Sequence, residues 1–78
     1  MARDESGFEV GQAKCIHTTP FAIKCVLLEG TDFMKTGQEF WVPESQIHDD
    51  SEVYEKGDEG LLVVTHYIAK KEGWEDDD

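Results

Sequence analysis

Basic residues are scarce in this chain: seven Lys and Arg stand against 18 Asp and Glu, a formal net charge of −11 over 78 residues. A surface of that sign repels DNA, RNA and anionic membranes, and it attracts the basic surfaces that normally bind them. Long apolar runs are missing too. The longest, residues 25–28 and 61–64, are four residues each, against the ~20 that a membrane-spanning helix needs. The opening Met1-Ala2-Arg3-Asp4-Glu5-Ser6 is polar and acidic, so no secretory signal is read and a cytoplasmic protein is expected. Cysteine is limited to Cys15 and Cys25. They form no CxxC pair and cannot supply a four-thiolate zinc site. They fall on adjacent strands and could approach each other, but in a reducing compartment they read as two small core or semi-buried side chains.

Arrangements that carry chemistry are equally sparse. His17, His48 and His66 are separated by 31 and 18 residues, without the one-turn step of a helical zinc pair. Asp49, Asp50, Glu52, Asp58 and Glu59 are hard oxygen donors, but their spacing is not that of a calcium loop. Cys25 and His66 could meet in space, yet nothing in the sequence marks either as activated. The expectation is a protein without catalytic residues, metal or cofactor, and not an enzyme.

What is present suffices for one small domain. A chain of 78 residues buries only ~60% of its unfolded surface, so the core is thin. Hydrophobic residues make up 38%, gathered into strand-like runs rather than dispersed. The reading is a flexible arm over 1–7, a compact β domain over 8–74 and a disordered acidic tail over 75–78.

Within the domain, 9–17 and 21–29 read as an antiparallel hairpin turned at Thr18-Thr19-Pro20. Ile23, Cys25 and Leu27 share one face at period two, with Lys24 on the other. Gly30–Gly37 is a loop with unusually apolar Phe33 and Met34. Glu39–Val42 is a third strand, Phe40 and Val42 inward and Trp41 opposite. Pro43 ends it, and Glu44-Ser45-Gln46-Ile47 suits a single helical turn, with Ile47 plugging the core. Val53-Tyr54 is expected as a short fourth strand. Leu61–Val64 reads as a central strand buried on both faces, with Leu61 and Val63 in the core. Thr65 is placed as the N-cap of a helix over 66–72, stopped by Gly73. Trp74 is expected as a lid. The fold class is therefore mainly β: a small curled antiparallel sheet, or an SH3-like or OB-like (oligonucleotide/oligosaccharide-binding) partial barrel, with one short C-terminal helix.

Phe40-Trp41-Val42-Pro43-Glu44-Ser45-Gln46-Ile47, with Gly57-Asp58-Glu59-Gly60 and Ala69-Lys70-Lys71-Glu72-Gly73 downstream, resembles a signature of small phage and mobile-element proteins. In those, a W-[IV]-P-x-S-Q-[IL] block precedes a GDEG turn, a strand and a short helix. The likeness spans about residues 13–74. It implies a mobile-element origin and a compact β fold, and it carries no activity with it. Glu44 stands where a base is common in that block, and the Gly30–Gly37 loop is longer.

Glu44, Asp49, Asp50, Glu52, Glu55, Asp58 and Glu59 fall within sixteen residues that hold one base, Lys56. With Trp41, they are the candidate partner-binding residues. Trp41 has two readings: a second-face core residue beneath the helix, or an exposed aromatic anchor. The first function expected is a phage-type inhibitor, anti-CRISPR-like or anti-restriction-like. It would present phosphate-like carboxylates to the basic nucleic-acid-binding surface of a host defence or DNA-processing complex. It would touch neither nucleic acid nor membrane and would be a monomer or weak dimer. The alternatives are an accessory protein-binding module of phage recombination or replication, and a nucleotide- or oligonucleotide-binding barrel stacking bases on Trp41, Phe33 or Tyr54. Acids interrupt the few lysines that a backbone could follow, which weighs against the last. Negative charge also promotes solubility without any mimicry.

Overall fold

The computed structural model describes residues 7–75; Met1–Ser6 and Asp76–Asp78, most of the arm and tail marked out above, lie outside the described residues. Strands β1 (Phe8–Thr18), β2 (Ala22–Leu27), β3 (Glu39–Pro43) and β4 (Glu59–Val64) form one antiparallel sheet in the order β3-β2-β1-β4. A 3-10 turn at Glu44–Gln46 follows β3, and one short helix, α1 (His66–Lys71), follows β4.

The β1–β2 hairpin turns where Pro20 fixes its own φ. Thr19 closes it: its hydroxyl accepts from the Phe21 and Ala22 N–H groups at 3.2 and 3.0 Å. In β2 the period-two pattern holds, with Ile23, Cys25 and Leu27 buried. Cys25 lies directly across from Cys15 on one side and Phe40 on the other. β1 reads less regularly because its register slips twice, between Glu9 and Gly11 and between Cys15 and His17. Each slip inserts one residue and moves the chain to the other face. Val10, Ala13 and Cys15 are therefore all buried although they do not alternate. Gly11 permits the first bulge: its φ is +134°, and a Cβ there would stand 3.3 Å from Thr31 Cγ2.

The core contains Val10, Ile23, Leu27, Met34, Val42, Val53, Leu62, Val64 and Ile68. Met34 drops into it from the Gly30–Gly37 loop, and Phe33 packs against its rim. Phe33 stacks on Trp74 at 6.4 Å and Phe40 meets the same indole edge-on at 5.4 Å, so Trp74 closes one side as a lid. Thr65 caps α1 by accepting from the Ile68 N–H. It also donates to Gln46 Oε1 at 2.5 Å, tying the helix start to the 3-10 turn. Gly73, at φ +85°, ends the last turn.

Four expectations need correction. Val53-Tyr54 is not a strand: the Val53 N–H goes to the Ser51 hydroxyl and the Tyr54 N–H to the Asp58 carboxylate, leaving neither donor for a ladder. β4 is not central; it ends the sheet opposite β3. Its core residues are Leu62 and Val64, not Leu61 and Val63. The pairing of Gly11 with Leu62 past the bulge sets that phase. Val63 is buried on the opposite face, Leu61 is half-buried, and Ile47 packs on the core only partly. Finally, Glu75 is not part of a loose tail. Its carboxylate oxygens lie 2.7 and 2.9 Å from His66 Nδ1, and its N–H donates to the Ala69 carbonyl.

Leu27 is fully buried while Leu61 is not. Leu27→Ala is expected to lower unfolding free energy by ~2–5 kcal/mol; at the top of that range a domain of about 5 kcal/mol total stability would be half unfolded. Leu61→Ala should lose clearly less in the same urea titration. Equal losses would place the core face of the sheet wrongly.

Candidate partner-binding surface

The acidic segment lies along the outer edge of β4. Groups on alternate residues of β4 that turn away from β1 need partners there, and residues 46–52 supply them. The Glu52 N–H donates to the Leu61 carbonyl at 2.8 Å, the His48 N–H to the Val63 carbonyl at 2.9 Å, and the Thr65 N–H to the Gln46 carbonyl at 2.9 Å. Two donors of the strand are met by side chains instead. Leu61 N–H donates to Glu52 Oε1 at 2.8 Å, and Val63 N–H to Ser51 Oγ at 3.2 Å. Side chains substitute because the chain turns outward at Asp49-Asp50, where Asp50 N–H donates to His48 Nδ1 at 3.0 Å.

Ser51 is the one buried polar residue among those described, 6% exposed. Its hydroxyl accepts from both Val53 and Val63 N–H and donates to the Val53 carbonyl, which uses its full capacity. Tyr54 spans the same turn, its O–H placed 2.9 Å from the His48 carbonyl and 3.0 Å from that of Asp49. Burial of the phenol, with the Asp49 and Asp50 charges, raises its pKa. Farther on, Asp58 Oδ2 accepts from the Tyr54 and Glu55 N–H groups at 3.0 and 2.9 Å. Those two bonds hold the Asp58 carboxyl below the usual aspartate range. Gly57 N–H donates to the Cys15 carbonyl and Cys15 N–H to the Asp58 carbonyl, both at 2.9 Å, so the loop is fastened to β1.

The eight sequence-selected residues thus divide. Glu44, Asp49, Asp50, Glu55 and Glu59 are exposed. Glu52 and Asp58 spend carboxylate oxygens on the scaffold itself. Trp41 lies on β3, at the other end of the strand order from β4, while Glu44 directly follows its own strand. Its indole is 45% exposed, so it does not lie beneath the helix. It ends a row of cross-strand partners, His17, Lys24 and Trp41. Lys24 Nζ stands 5.9 Å from the ring centroid while held by Glu39 at 3.1 Å, and the His17 ring meets the indole edge-on. Ser51 escaped the sequence reading; the signal available was a lone hydroxyl between acids beside a buried valine.

Neither thiol is placed for nucleophilic chemistry. Both are fully buried; burial pushes Cys25 up to about 12 and raises Cys15 as well. Among the described residues no group of His, Cys, Asp and Glu is arranged to hold a metal ion, and no helix is long and apolar enough to cross a membrane. No family model matches the chain, and neither the curated proteins nor the solved structures include a match to it.

Ser51→Ala removes the acceptor of two backbone N–H groups, so a loss of about 1–3 kcal/mol is expected. Chemical denaturation would measure it, and a neutral result would mean water replaces the hydroxyl. Asp58 adds a pH signature. Because its folded pKa is depressed, its stabilisation is present above the ordinary aspartate range and disappears as pH falls through the folded value. Asp58→Asn, which keeps an accepting oxygen, should flatten the acid limb of the stability curve. An unchanged limb would assign acid sensitivity elsewhere.

Proposed function

We propose that this chain is a small non-catalytic acidic protein that binds and inhibits a nucleic-acid-binding host complex. In this reading it acts as a phage-type, anti-CRISPR-like or anti-restriction-like inhibitor. The observation that carries the reading is the fastening of residues 46–58 to β4 and β1. Glu44, Asp49, Asp50, Glu55 and Glu59 project from a segment already ordered by backbone, Ser51, Tyr54 and Asp58 bonds. Charge on a fixed frame steers association and needs little further ordering when a basic surface arrives. The bonding of residues 46–52 to β4 also supports a partial barrel, SH3-like or OB-like, as the finer description of the sheet. A second reading, an accessory protein-binding module, draws support from the exposure of Trp41, since tryptophan is favoured at interface centres.

The test is capture from host lysate at low and high salt, with DNA or RNA as competitor. Asp49→Asn, Asp50→Asn, Glu52→Gln and Glu55→Gln together should abolish capture yet hardly alter melting, because the amide introduced at position 52 retains an oxygen for the Leu61 N–H. Capture by the native chain should fall steeply with salt. A salt-insensitive complex that survives the amides but is lost on Trp41→Ala would overturn inhibition by charge and leave the docking module.

A further inference from the structure

β3 ends the sheet, and the phase of its pairing fixes which backbone groups face outward. Leu27 N–H donates to the Gln38 carbonyl at 2.9 Å and Glu44 N–H to the Phe21 carbonyl at 2.8 Å. Bonded pairs alternate with non-bonded ones in an antiparallel ladder. The bonded pairs between these two limits are therefore Cys25 with Phe40 and Ile23 with Val42. The N–H and C=O groups of Glu39 and Trp41, and the C=O of Pro43, then point away from β2. Among the described residues nothing hydrogen-bonds to them. Such a row is a template for another strand. β4, by contrast, has its edge covered by residues 46–52.

We infer that the free edge of β3 takes up an extended, lysine- or arginine-bearing segment of the partner protein by strand addition, with Trp41 as its anchor. Main-chain bonds to Glu39, Trp41 and Pro43 would give affinity, and side-chain contacts the selectivity. Lys24 and His17 approach the indole from the β2 and β1 side, and 45% of the residue remains exposed. A residue opposite Trp41 on the added strand shares its face of the sheet, and a cation there is attracted by the ring. Exposed Glu44 flanks the edge, as does Glu39, whose carboxylate already bridges to Lys24. A second copy of the chain fits less well, since it would bring its own net charge of −11 against the first. Only the basic character of the segment rests on the function proposed above; the open edge does not.

The probe is a blocked hexapeptide alternating Lys and Val, added to the isotope-labelled full chain, beside the same peptide N-methylated at alternate residues. The expected result is saturable shifts at the amides of residues 39–42 and slowed hydrogen exchange at Glu39 and Trp41. N-methylation and Trp41→Ala should each weaken binding about tenfold or more, and both effects should persist when Asp49, Asp50 and Glu55 are converted to amides. Shifts confined to residues 44–59, equal for both peptides, would overturn the inference. So would exchange at Glu39 and Trp41 already slowed in a concentration-dependent way without peptide, which would give the edge to a second copy. Loss of edge docking while acid-dependent capture from lysate persists sinks this inference alone. Capture that ignores the acids sinks the earlier reading, and with it the basic character of the segment, while strand addition at the open edge stands on the amide shifts alone.

Discussion

β4 has a row of N–H and C=O groups that β1 cannot reach, and satisfying them orders the acidic segment. Leu61, Val63 and Thr65 each turn polar backbone outward, and Gln46, His48, Ser51 and Glu52 meet it. Removing that cover would leave donors unpaired beside a core that includes Leu62 and Val64, a costly condition in so thin a domain. The same bonds bring the 3-10 turn against the start of α1 through Thr65 and Gln46. The link between acidity and folding is therefore direct: the residues that carry the charge flank the ones that close the edge.

This arrangement separates two kinds of acid that look alike in sequence. Glu52 and Asp58 are acceptors for backbone donors, so their negative charge strengthens bonds inside the domain. Glu44, Asp49, Asp50, Glu55 and Glu59 are exposed, and their charge acts outward. The two edges of the sheet also differ in chemistry. One is covered and strongly acidic; the other is bare, short and marked by an aromatic ring.

Much of the scaffold was legible from local pattern. β2 alternates cleanly, Pro43 stops β3, Thr65 caps α1 and Gly73 ends it, each through chemistry that acts within a few residues. The misreadings involve choices made at longer range. Four apolar residues in a row, Leu61–Val64, contain no phase of their own; the bulge at Gly11 selects Leu62 and Val64. Val53 is buried and strand-like in composition, but Ser51 and Asp58 intercept the N–H groups that a ladder would use. The acidic surface was visible in the sequence as composition. Which acids are occupied was not, because that depends on strand partners far away in the chain. The exposure of Trp41 followed from alternation once the helix was found over the other face.

The two tryptophans occupy opposite kinds of site, and this gives the molecule a built-in pair of optical probes. Trp74 is wedged among Phe33 and Phe40, so its emission follows the integrity of the packed core. Trp41 stands half in solvent at the rim of the sheet, beside His17 and Lys24, and its emission follows what touches that rim. Replacing either indole by phenylalanine would isolate the other's signal, letting unfolding and surface contact be watched separately in one unlabelled protein.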